Sequence, residues 1–330
     1  MIKPIGLTCG EPSSIAPEIT VKAWKTLKNE LSFVLFSSFE YMKKRFPEIP
    51  MQKVFNCSEA LDVMVNALPI IDIPFTEEPE VGKVNHKLAV DTIKSIKMAT
   101  ECCMIGETAA LCTNPINKFA LRSGANFKHT GHTDFLKYLT NSKQAVMMIA
   151  SDKLKVIPVT IHVSLIEAIT TLTDLLIKDT IKLSHQSLIE LFNIKKPRIF
   201  VSGLNPHAGE NGLFGDEEKK LILPVIDLLR KSGLNINGPF PADTMFHDDI
   251  RKNYDLAICM YHDQALIPIK TISFDEAVNV TLGLPIVRTS PDHGTANEIA
   301  GKNKASPKSL INAIRLAKKL SENNSLYANR

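Results

Sequence analysis

The chain has 330 residues, of which 44% are hydrophobic, and it carries 39 lysines and arginines against 35 aspartates and glutamates. This length suits two lobes of ordinary size, and the moderate glycine and proline content excludes a disordered or collagen-like chain. The net charge of +4 is too small to indicate a nucleic-acid partner. No apolar run approaches the ~18 residues that a membrane span needs, so we expect no membrane partner.

Two predicted strands in the first half of the chain are followed by a charged residue. Each of these charged residues has two possible interpretations. A predicted strand over residues 1–9 is followed by Glu11, which is either a site carboxylate or a solvated turn residue. A predicted strand over residues 109–113 is followed by Lys118, which either binds an anion or is a solvated lysine. The loop that contains His132 groups histidines and threonines around a glycine, and this composition suits contact with a phosphate or carboxylate.

Three histidines further along the chain each follow a predicted strand. The pairs are 156–161 with His162, 199–201 with His207 and 256–260 with His262. If these strands belong to one parallel sheet, the imidazoles lie along the edge where open α/β sheets bind ligands. Three neutral imidazoles with an open position suit Zn²⁺ or a similar divalent ion, although a single histidine is more often a packed or solvated residue.

The stretch 254–301 combines two apolar runs, 255–261 and 278–287, which we interpret as buried strands. Lys270, Asn279 and Arg288 accompany these runs and suit an anionic substrate, because arginine binds carboxylate or phosphate with two hydrogen bonds and lysine acts as a point charge. Ordinary surface lysine and arginine are the alternative. No G-x-G-x-x-G fingerprint occurs, which argues against an ordinary Rossmann nucleotide domain.

The cysteine pattern indicates the redox environment. None of the six cysteines form C-x-x-C pairs, so neither a zinc ribbon nor a disulfide framework is indicated. We expect buried free thiols, which fit a reducing cytoplasm, and no signal peptide is visible.

Seven blocks of sequence together resemble the 4-hydroxythreonine-4-phosphate dehydrogenase family. They come in the family's order and span nearly the whole chain: 113–118, 131–133, 203–210, 241–244, 260–264, 277–285 and 292–296. The segment 293–301 also resembles the nucleotide loop of isocitrate and isopropylmalate dehydrogenases, which bind NAD without the Rossmann fingerprint. The family's first turn usually reads Gly-Asp-Pro-Ala-Gly-Ile-Gly-Pro-Glu, whereas this chain has Glu11, Ser14 and Ala16 there. These departures leave the choice of substrate open.

The resemblance implies a two-lobed α/β/α fold of the isocitrate/isopropylmalate dehydrogenase type with non-Rossmann NAD binding. The expected NAD-binding lobe comprises residues 1–130 plus 273–330, and the expected metal-binding and dimerisation lobe comprises residues 131–272. The expected assembly is a homodimer with its active site at the subunit interface, where the partner supplies one metal-binding histidine.

The resemblance also implies a reaction. NAD-dependent, metal-assisted oxidation of the C3 hydroxyl of 4-phosphohydroxy-L-threonine is followed by loss of CO₂, which yields 3-amino-2-oxopropyl phosphate for pyridoxal phosphate (vitamin B6) biosynthesis. The metal, Zn²⁺ or alternatively Mg²⁺ or Co²⁺, would lower the pKa of the hydroxyl, and NAD would carry the hydride. Two alternatives remain: the same chemistry on a phosphorylated four-carbon sugar acid such as threonate or erythronate phosphate, and a relative that binds a phosphorylated ligand without turnover.

Individual residues acquire expected roles from the same resemblance. The metal ligands would be His162, His207 and His262. The substrate-binding residues would be His132, Thr133, Lys270, Asn279 and Arg288. The NAD-binding residues would be Asp292, His293, Gly294, Thr295, Ala296 and Asn297. The catalytic candidates are Lys270, Asp243 and Asp263, of which the two aspartates are expected either to orient the ligand imidazoles or to relay a proton.

Overall fold

The structure is a computed structural model that describes residues 2–323. The chain divides into two compact units: unit 1 takes the chain up to Ala145 and again from Leu284, and unit 2 comprises Val146–Gly283. The sequence predicts junctions near residues 130 and 272, so His132 and Thr133 belong to unit 1 here instead of the middle lobe, and Asn279 belongs to unit 2. The functions expected of the two lobes stay predictions.

The described residues form twelve strands and thirteen α-helices. The strands are β1 (Ile5–Thr8), β2 (Phe33–Ser37), β3 (Met51–Lys53), β4 (Leu68–Asp72), β5 (Ala110–Cys112), β6 (Val146–Ala150), β7 (Lys155–Pro158), β8 (Arg198–Ser202), β9 (Asn235–Phe240), β10 (Leu256–Cys259), β11 (Val278–Leu282) and β12 (Arg288–Pro291). The helices are α1 (Ala16–Leu27), α2 (Phe39–Arg45), α3 (Ala60–Val63), α4 (Ala89–Met104), α5 (Lys118–Ala125), α6 (His132–Leu139), α7 (Leu165–Thr171), α8 (Asp174–Glu190), α9 (Leu223–Lys231), α10 (Ala242–Met245), α11 (Asp248–Arg251), α12 (His262–Ser273) and α13 (Lys308–Asn323).

Unit 1 is built on a parallel sheet in the order β3-β4-β2-β1-β5-β12. Val34 and Phe36 of β2 pack in one buried cluster with α4. Phe33 and Leu35 are equally buried, and because side chains alternate along a strand they point to the opposite face. Helix α13 packs on β12 and β5 and against α1. The sheet is therefore buried on both faces, as parallel sheets almost always are.

Unit 2 has a mixed sheet in the order β11-β6-β7-β10-β8-β9. β6 is antiparallel to both of its neighbours, whereas β7, β10, β8 and β9 run parallel. The condition on which a shared edge depends, that the strands before His162, His207 and His262 run parallel in one sheet, is therefore met. These strands are β7, β8 and β10, with β10 in the middle, and their C-terminal ends lie at one edge.

The sequence predicts that the apolar run 278–287 is one strand. In the structure the strand is shorter. β11 ends at Leu282, and Gly283 has a φ of 85°, a conformation that glycine adopts without the steric penalty of a Cβ. Arg288 therefore begins a strand of unit 1 instead of ending one. Lys270 lies in the last turn of helix α12 and not in a loop after a strand.

Two predictions from composition can be compared with the structure. The six cysteines are free, five of them buried and Cys102 half-buried, as expected. Among the helices of residues 2–323, none is long and apolar enough to cross a membrane.

Candidate functional site

The ends of β7, β10 and β8 are joined by buried hydrogen bonds. The Thr160 hydroxyl, just past β7, donates to the Met260 carbonyl at 2.8 Å. The side-chain oxygen of Gln264 accepts from the Met260 N–H at 2.7 Å and from the Ser202 hydroxyl at 2.8 Å. Its side-chain nitrogen donates to the Gly203 carbonyl at 2.8 Å. Gln264 and Thr160 therefore hold together the three loops that carry the candidate metal ligands.

The loop that carries His207 folds around the carboxylate of Glu218, a buried residue. The backbone N–H groups of Leu204 and Asn205 both donate to Oε1 at 2.8 Å. Gly209 has a φ of 78°, and a Cβ there would lie 2.6 Å from Oε2. The position of Glu218 at the start of a helix predicts only a favourable interaction with the helix dipole, so its role as a loop anchor is missed from sequence.

His162 and His262 lie close together. Their ring centroids are 5.8 Å apart, and both line a cavity of about 210 Å³ together with Asp263. Nδ1 of His262 lies 2.6 Å from Oδ1 of Asp263. With the proton on Nδ1, this bond orients the imidazole and leaves Nε2 to bind a metal. The geometry therefore fits the orienting role expected of Asp263.

His207 lies apart from these two residues. Its ring stacks near Phe214, with centroids 5.9 Å apart, and it does not line the cavity. Within residues 2–323 of a single chain, the three histidines do not bring three nitrogen atoms within 4.8 Å of one another. Asp243 is exposed on α10, a helix that contacts the segment Pro206–Gly212 around His207.

Backbone conformation also distinguishes two of the histidines. His162 and His207 have φ values of 53° and 52°, in the left-handed region that residues other than glycine rarely occupy. Such conformations cost free energy and cluster at functional sites. The observation is consistent with a ligand role for both.

The remaining residues of unit 2 with expected roles lie on α12 and β11. Lys270 lies about 12 Å along α12 from His262, at 1.5 Å per residue, and its ammonium is 5.4 Å from the centre of the Phe274 ring. Asn279 is half-buried on β11, opposite Ile149 of β6. Their expected roles in substrate binding stay predictions.

Unit 1 contains a cluster of basic side chains. Arg288 is 3% exposed and donates from Nη2 to the Thr113 hydroxyl at 2.6 Å. Nε2 of His132 is buried and makes no hydrogen bond within residues 2–323. Burial, together with the positive charges of Arg288 and Lys118, holds the pKa of His132 well below 6.5. A buried polar atom without a partner, close to two cations, fits an anionic ligand.

The start of α6 adds to this cluster. A Cβ at Gly131, the residue before α6, would lie 3.2 Å from Cε of Lys118, so the lysine side chain lies along the beginning of that helix. Thr133 is in the first turn. The free N–H groups and positive dipole end of a helix favour phosphate. Lys118 is itself exposed, so both of its interpretations, an anion-binding residue and a solvated lysine, stay open.

The loop from Asp292 to Asn297 lies beside the first turn of unit 1. The carbonyl of Thr295 accepts from the N–H of Ile15 at 3.3 Å. The amide nitrogen Nδ2 of Asn297 is buried and finds no hydrogen-bond acceptor in the described part of the chain. A Cβ at Gly294 would meet nothing within 4 Å. An unused donor and open space at another residue of the same loop fit a polar ligand such as the dinucleotide expected here. His293 and Gly294 are exposed, and Asp292 and Ala296 half-buried.

The chain matches the family model described as pyridoxal phosphate biosynthetic protein PdxA over residues 25–317. The chain belongs to this family. It is 46% identical to the 4-hydroxythreonine-4-phosphate dehydrogenase of Roseobacter denitrificans over 315 residues, which cover 95% of this chain and 96% of the relative. It is also 46% identical to the protein of the same name from Ruegeria sp. over 318 residues, with 96% and 97% covered. The predicted family resemblance is confirmed.

Solved structures of PdxA relatives share the fold. A 4-hydroxythreonine-4-phosphate dehydrogenase from Klebsiella pneumoniae has a TM-score of 0.87 at 34% identity, with 97% of this chain and 99% of that chain covered. A putative enzyme of the same name from Salmonella typhimurium has a TM-score of 0.85 at 36% identity, with 97% and 100% covered. The predicted α/β fold class is confirmed.

The first turn, which departs from the usual PdxA sequence, is closed on itself. Glu11 is 2% exposed, its Oε1 accepts from the Ser13 N–H at 3.3 Å, and burial raises its pKa. The Ser14 hydroxyl donates to the Glu11 carbonyl at 2.6 Å and accepts from the Ala16 N–H at 3.0 Å. The interpretation of Glu11 as a solvated turn residue is therefore wrong.

The hydrogen bonds of Gln264 can be tested by replacing it with leucine. Gln264→Leu leaves the Met260 N–H, the Ser202 hydroxyl and the Gly203 carbonyl without their partner, so we expect a loss of roughly 2–4 kcal/mol in the free energy of unfolding and weaker metal binding. Urea unfolding and metal titration measure these effects. Gln186→Leu, on the exposed face of α8, is the matched control, and equal losses in the two variants would contradict the proposed anchoring.

The depressed pKa of His132 predicts a pH dependence of stability. Below about pH 6.5 the unfolded chain protonates this imidazole while the folded chain holds it neutral, so stability decreases as pH falls, by up to about 1.4 kcal/mol per pH unit, until the folded pKa is reached. His132→Gln removes this contribution, and urea unfolding midpoints between pH 7.5 and 5 measure it. His86→Gln, on the surface of the same unit, is the control. An unchanged acid dependence in His132→Gln would show that His132 is not the responsible group.

Proposed function

We propose that this chain is a 4-hydroxythreonine-4-phosphate dehydrogenase that oxidises and decarboxylates 4-phosphohydroxy-L-threonine with NAD and a divalent metal, in pyridoxal phosphate biosynthesis. The observation that carries the proposal is the match over at least 95% of this chain with relatives of that name. A cytoplasmic location belongs to the proposal and is supported by the six free thiols.

The basic cluster of unit 1 is assigned to the phosphate of the substrate. Arg288 and Lys118 supply two positive charges, and His132 supplies a buried nitrogen without a partner. An arriving phosphate dianion compensates the charges of the cations and favours the protonated form of His132, which then donates a hydrogen bond. Thr133 in the first turn of α6 offers a hydroxyl and a backbone N–H. We therefore expect the affinity of this cluster for the substrate to depend more on the phosphate group than on the rest of the substrate molecule.

The histidines of unit 2 are assigned to the divalent metal, Zn²⁺ or alternatively Mg²⁺ or Co²⁺. When bound, the ion supplies a Lewis acid that lowers the pKa of the substrate hydroxyl and polarises the ketone formed from it. The close approach of His162 and His262 and the bond from Asp263 to His262 support two of the three ligands. Asp263 has its carboxylate engaged with His262, which suits an orienting role. Lys270 and Asp243 remain the other candidates for proton transfer.

The loop from Asp292 to Asn297 is assigned to NAD, which accepts the hydride when bound. The unused amide donor of Asn297 and the open space at Gly294 support this assignment. The chain itself positions this polar loop. The backbone N–H of Asp292 donates a hydrogen bond to the Ser309 hydroxyl at 3.1 Å, which holds the start of the loop.

The proposed homodimer is supported by apolar side chains exposed beside the histidines. Leu165, Ile166 and Ile169 of α7, the helix that follows His162, are 63%, 77% and 48% exposed. Leu213 and Phe214, close to His207, are 73% and 48% exposed. Large apolar side chains that are exposed close to one another favour contact with another protein surface. A partner that covers them would supply its own His207 to the pair formed by His162 and His262.

The activity is tested by following NAD reduction by the pure protein with 4-phosphohydroxy-L-threonine. We expect metal-dependent NADH formation that chelation abolishes and that Zn²⁺, Mg²⁺ or Co²⁺ restores. Turnover with threonate or erythronate phosphate alone would contradict the assigned substrate but not the chemistry. Absence of turnover with every substrate, in protein with bound metal, would instead indicate a ligand-binding relative.

Subunit mixing tests the division of the metal site between protomers. If the partner supplies His207, random hybrids of His162→Ala and His207→Ala contain one intact site per heterodimer, so an equal mixture should recover about a quarter of the wild-type activity. The control mixture combines His162→Ala with His262→Ala. Because these two ligands come from the same chain, every site in that mixture stays damaged. Equal recovery, or none, in both mixtures would contradict the divided site.

A further inference from the structure

A second group of possible metal ligands lies in unit 1 and contains none of the site residues described above. One donor atom each of Cys57, Cys102 and Glu107 lies within 4.8 Å of the other two. Within residues 2–323 no other three or more histidine, cysteine, aspartate or glutamate side chains meet this condition. Two sulfur atoms and a carboxylate oxygen at this spacing are donors that Zn²⁺ and other thiophilic ions prefer.

The end of α4 positions two of the three donors. The N–H of Glu107 donates to the carbonyl of Cys102 at 2.8 Å, and the N–H of Gly106 donates to the carbonyl of Cys103 at 3.2 Å. Gly106 has a φ of 79°. These bonds form a Schellman motif, which turns the chain back over the last turn of the helix. The backbone therefore brings Glu107 close to Cys102, independently of flexible side-chain contacts.

The third donor is held by a capped turn. Cys57 begins the 3₁₀ turn Cys57–Glu59, where the side-chain oxygen of Asn56 accepts from the Glu59 N–H at 3.1 Å. The Glu59 carboxylate in return accepts from the Phe55 N–H at 3.1 Å. Cys57 is buried, whereas Cys102 is half-buried and Glu107 exposed. The group is thus rigid at its buried end and reachable from solvent at the other.

The donor atoms of the group suit a cation. A divalent ion compensates the negative charge of the Glu107 carboxylate and of the two thiolates that form when it binds.

We propose that Cys57, Cys102 and Glu107 bind one thiophilic divalent cation of the Zn²⁺ class, separate from the catalytic metal. Both thiols release their protons to solvent as the two metal–sulfur bonds form, and the carboxylate supplies a third ligand. A water molecule completes a tetrahedral site. The ion joins the 57–59 turn to the end of α4 and, because it binds the folded chain only, raises the unfolding temperature.

Cd²⁺ binding to the reduced, full-length chain tests the proposal. Thiolate-to-metal charge-transfer absorption in the ultraviolet reports sulfur ligands alone, so imidazole sites do not contribute to it. We expect this absorption to saturate at one ion per chain, and to be lost in Cys57→Ser and in Cys102→Ser. Glu107→Gln, at an exposed position that does not threaten folding, should retain the absorption with a weaker affinity. Zn²⁺ in large excess should compete with Cd²⁺ and lower the signal, because Cd²⁺ binds thiolates more tightly.

Cys103→Ala is the matched control, since Cys103 is the next residue of the same helix but is buried in the core. It should bind Cd²⁺ as the wild type does. No charge-transfer absorption in the wild type, or absorption that survives both cysteine substitutions, would overturn the proposal. Formation of a Cys57–Cys102 disulfide in air by a chain that binds no Cd²⁺ when reduced would overturn it as well.

Discussion

The candidate metal site of unit 2 depends on one constraint, the parallel alignment of β7, β10 and β8. Neighbouring strands are about 4.8 Å apart, so the ends of β7 and β8 are about 10 Å apart with β10 between them. A zinc ion about 2.1 Å from each imidazole nitrogen needs those nitrogens much closer than that. His162 and His262 follow adjacent strands and meet, whereas His207 follows the strand on the far side of β10. The order of the strands in the sheet is thus consistent with two candidate ligands that lie close together and a third that lies apart.

The amide of Gln264 makes this alignment specific. A primary amide both donates and accepts, and here its oxygen and nitrogen serve groups on two different strands. A carboxylate in the same place has no donor for the Gly203 carbonyl, and an aliphatic side chain leaves all three partners unpaired. The loops with His207 and His262 therefore share one support, while Glu218 separately shapes the His207 loop. Because of this sharing, we expect a change in one of these loops to affect the other.

The residues predicted from sequence are those with local signals. Apolar runs bounded by polar residues locate β7, β8 and β10, and the histidines after them are visible for that reason. Gln264 and Glu218 are not, because their partners are up to 62 residues away and hydrogen bonds over such distances leave no local pattern. The run 278–287 misleads since apolar composition is continuous across Gly283, while the backbone conformation of that glycine ends the strand. Lys118 follows a predicted strand and lies in the block 113–118 that resembles the family, but only the structure brings its side chain close to Gly131 at the start of α6.

The basic cluster of unit 1 shows how binding and stability oppose each other. Arg288 is buried, and burial lowers its pKa to about 10, so it keeps its charge near neutral pH at a cost in desolvation. Lys118 and the dipole of α6 add positive potential. The lowered pKa of His132 keeps its imidazole neutral in these surroundings. Without an anion, the charges of Arg288 and Lys118 disfavour protonation of His132. In the proposed phosphate site, a dianion offsets those charges and accepts a hydrogen bond from His132. Under the proposed role, a phosphate gains affinity because it offsets these electrostatic costs, which gives a reason for a buried Arg288 close to a half-buried His132 and an exposed Lys118.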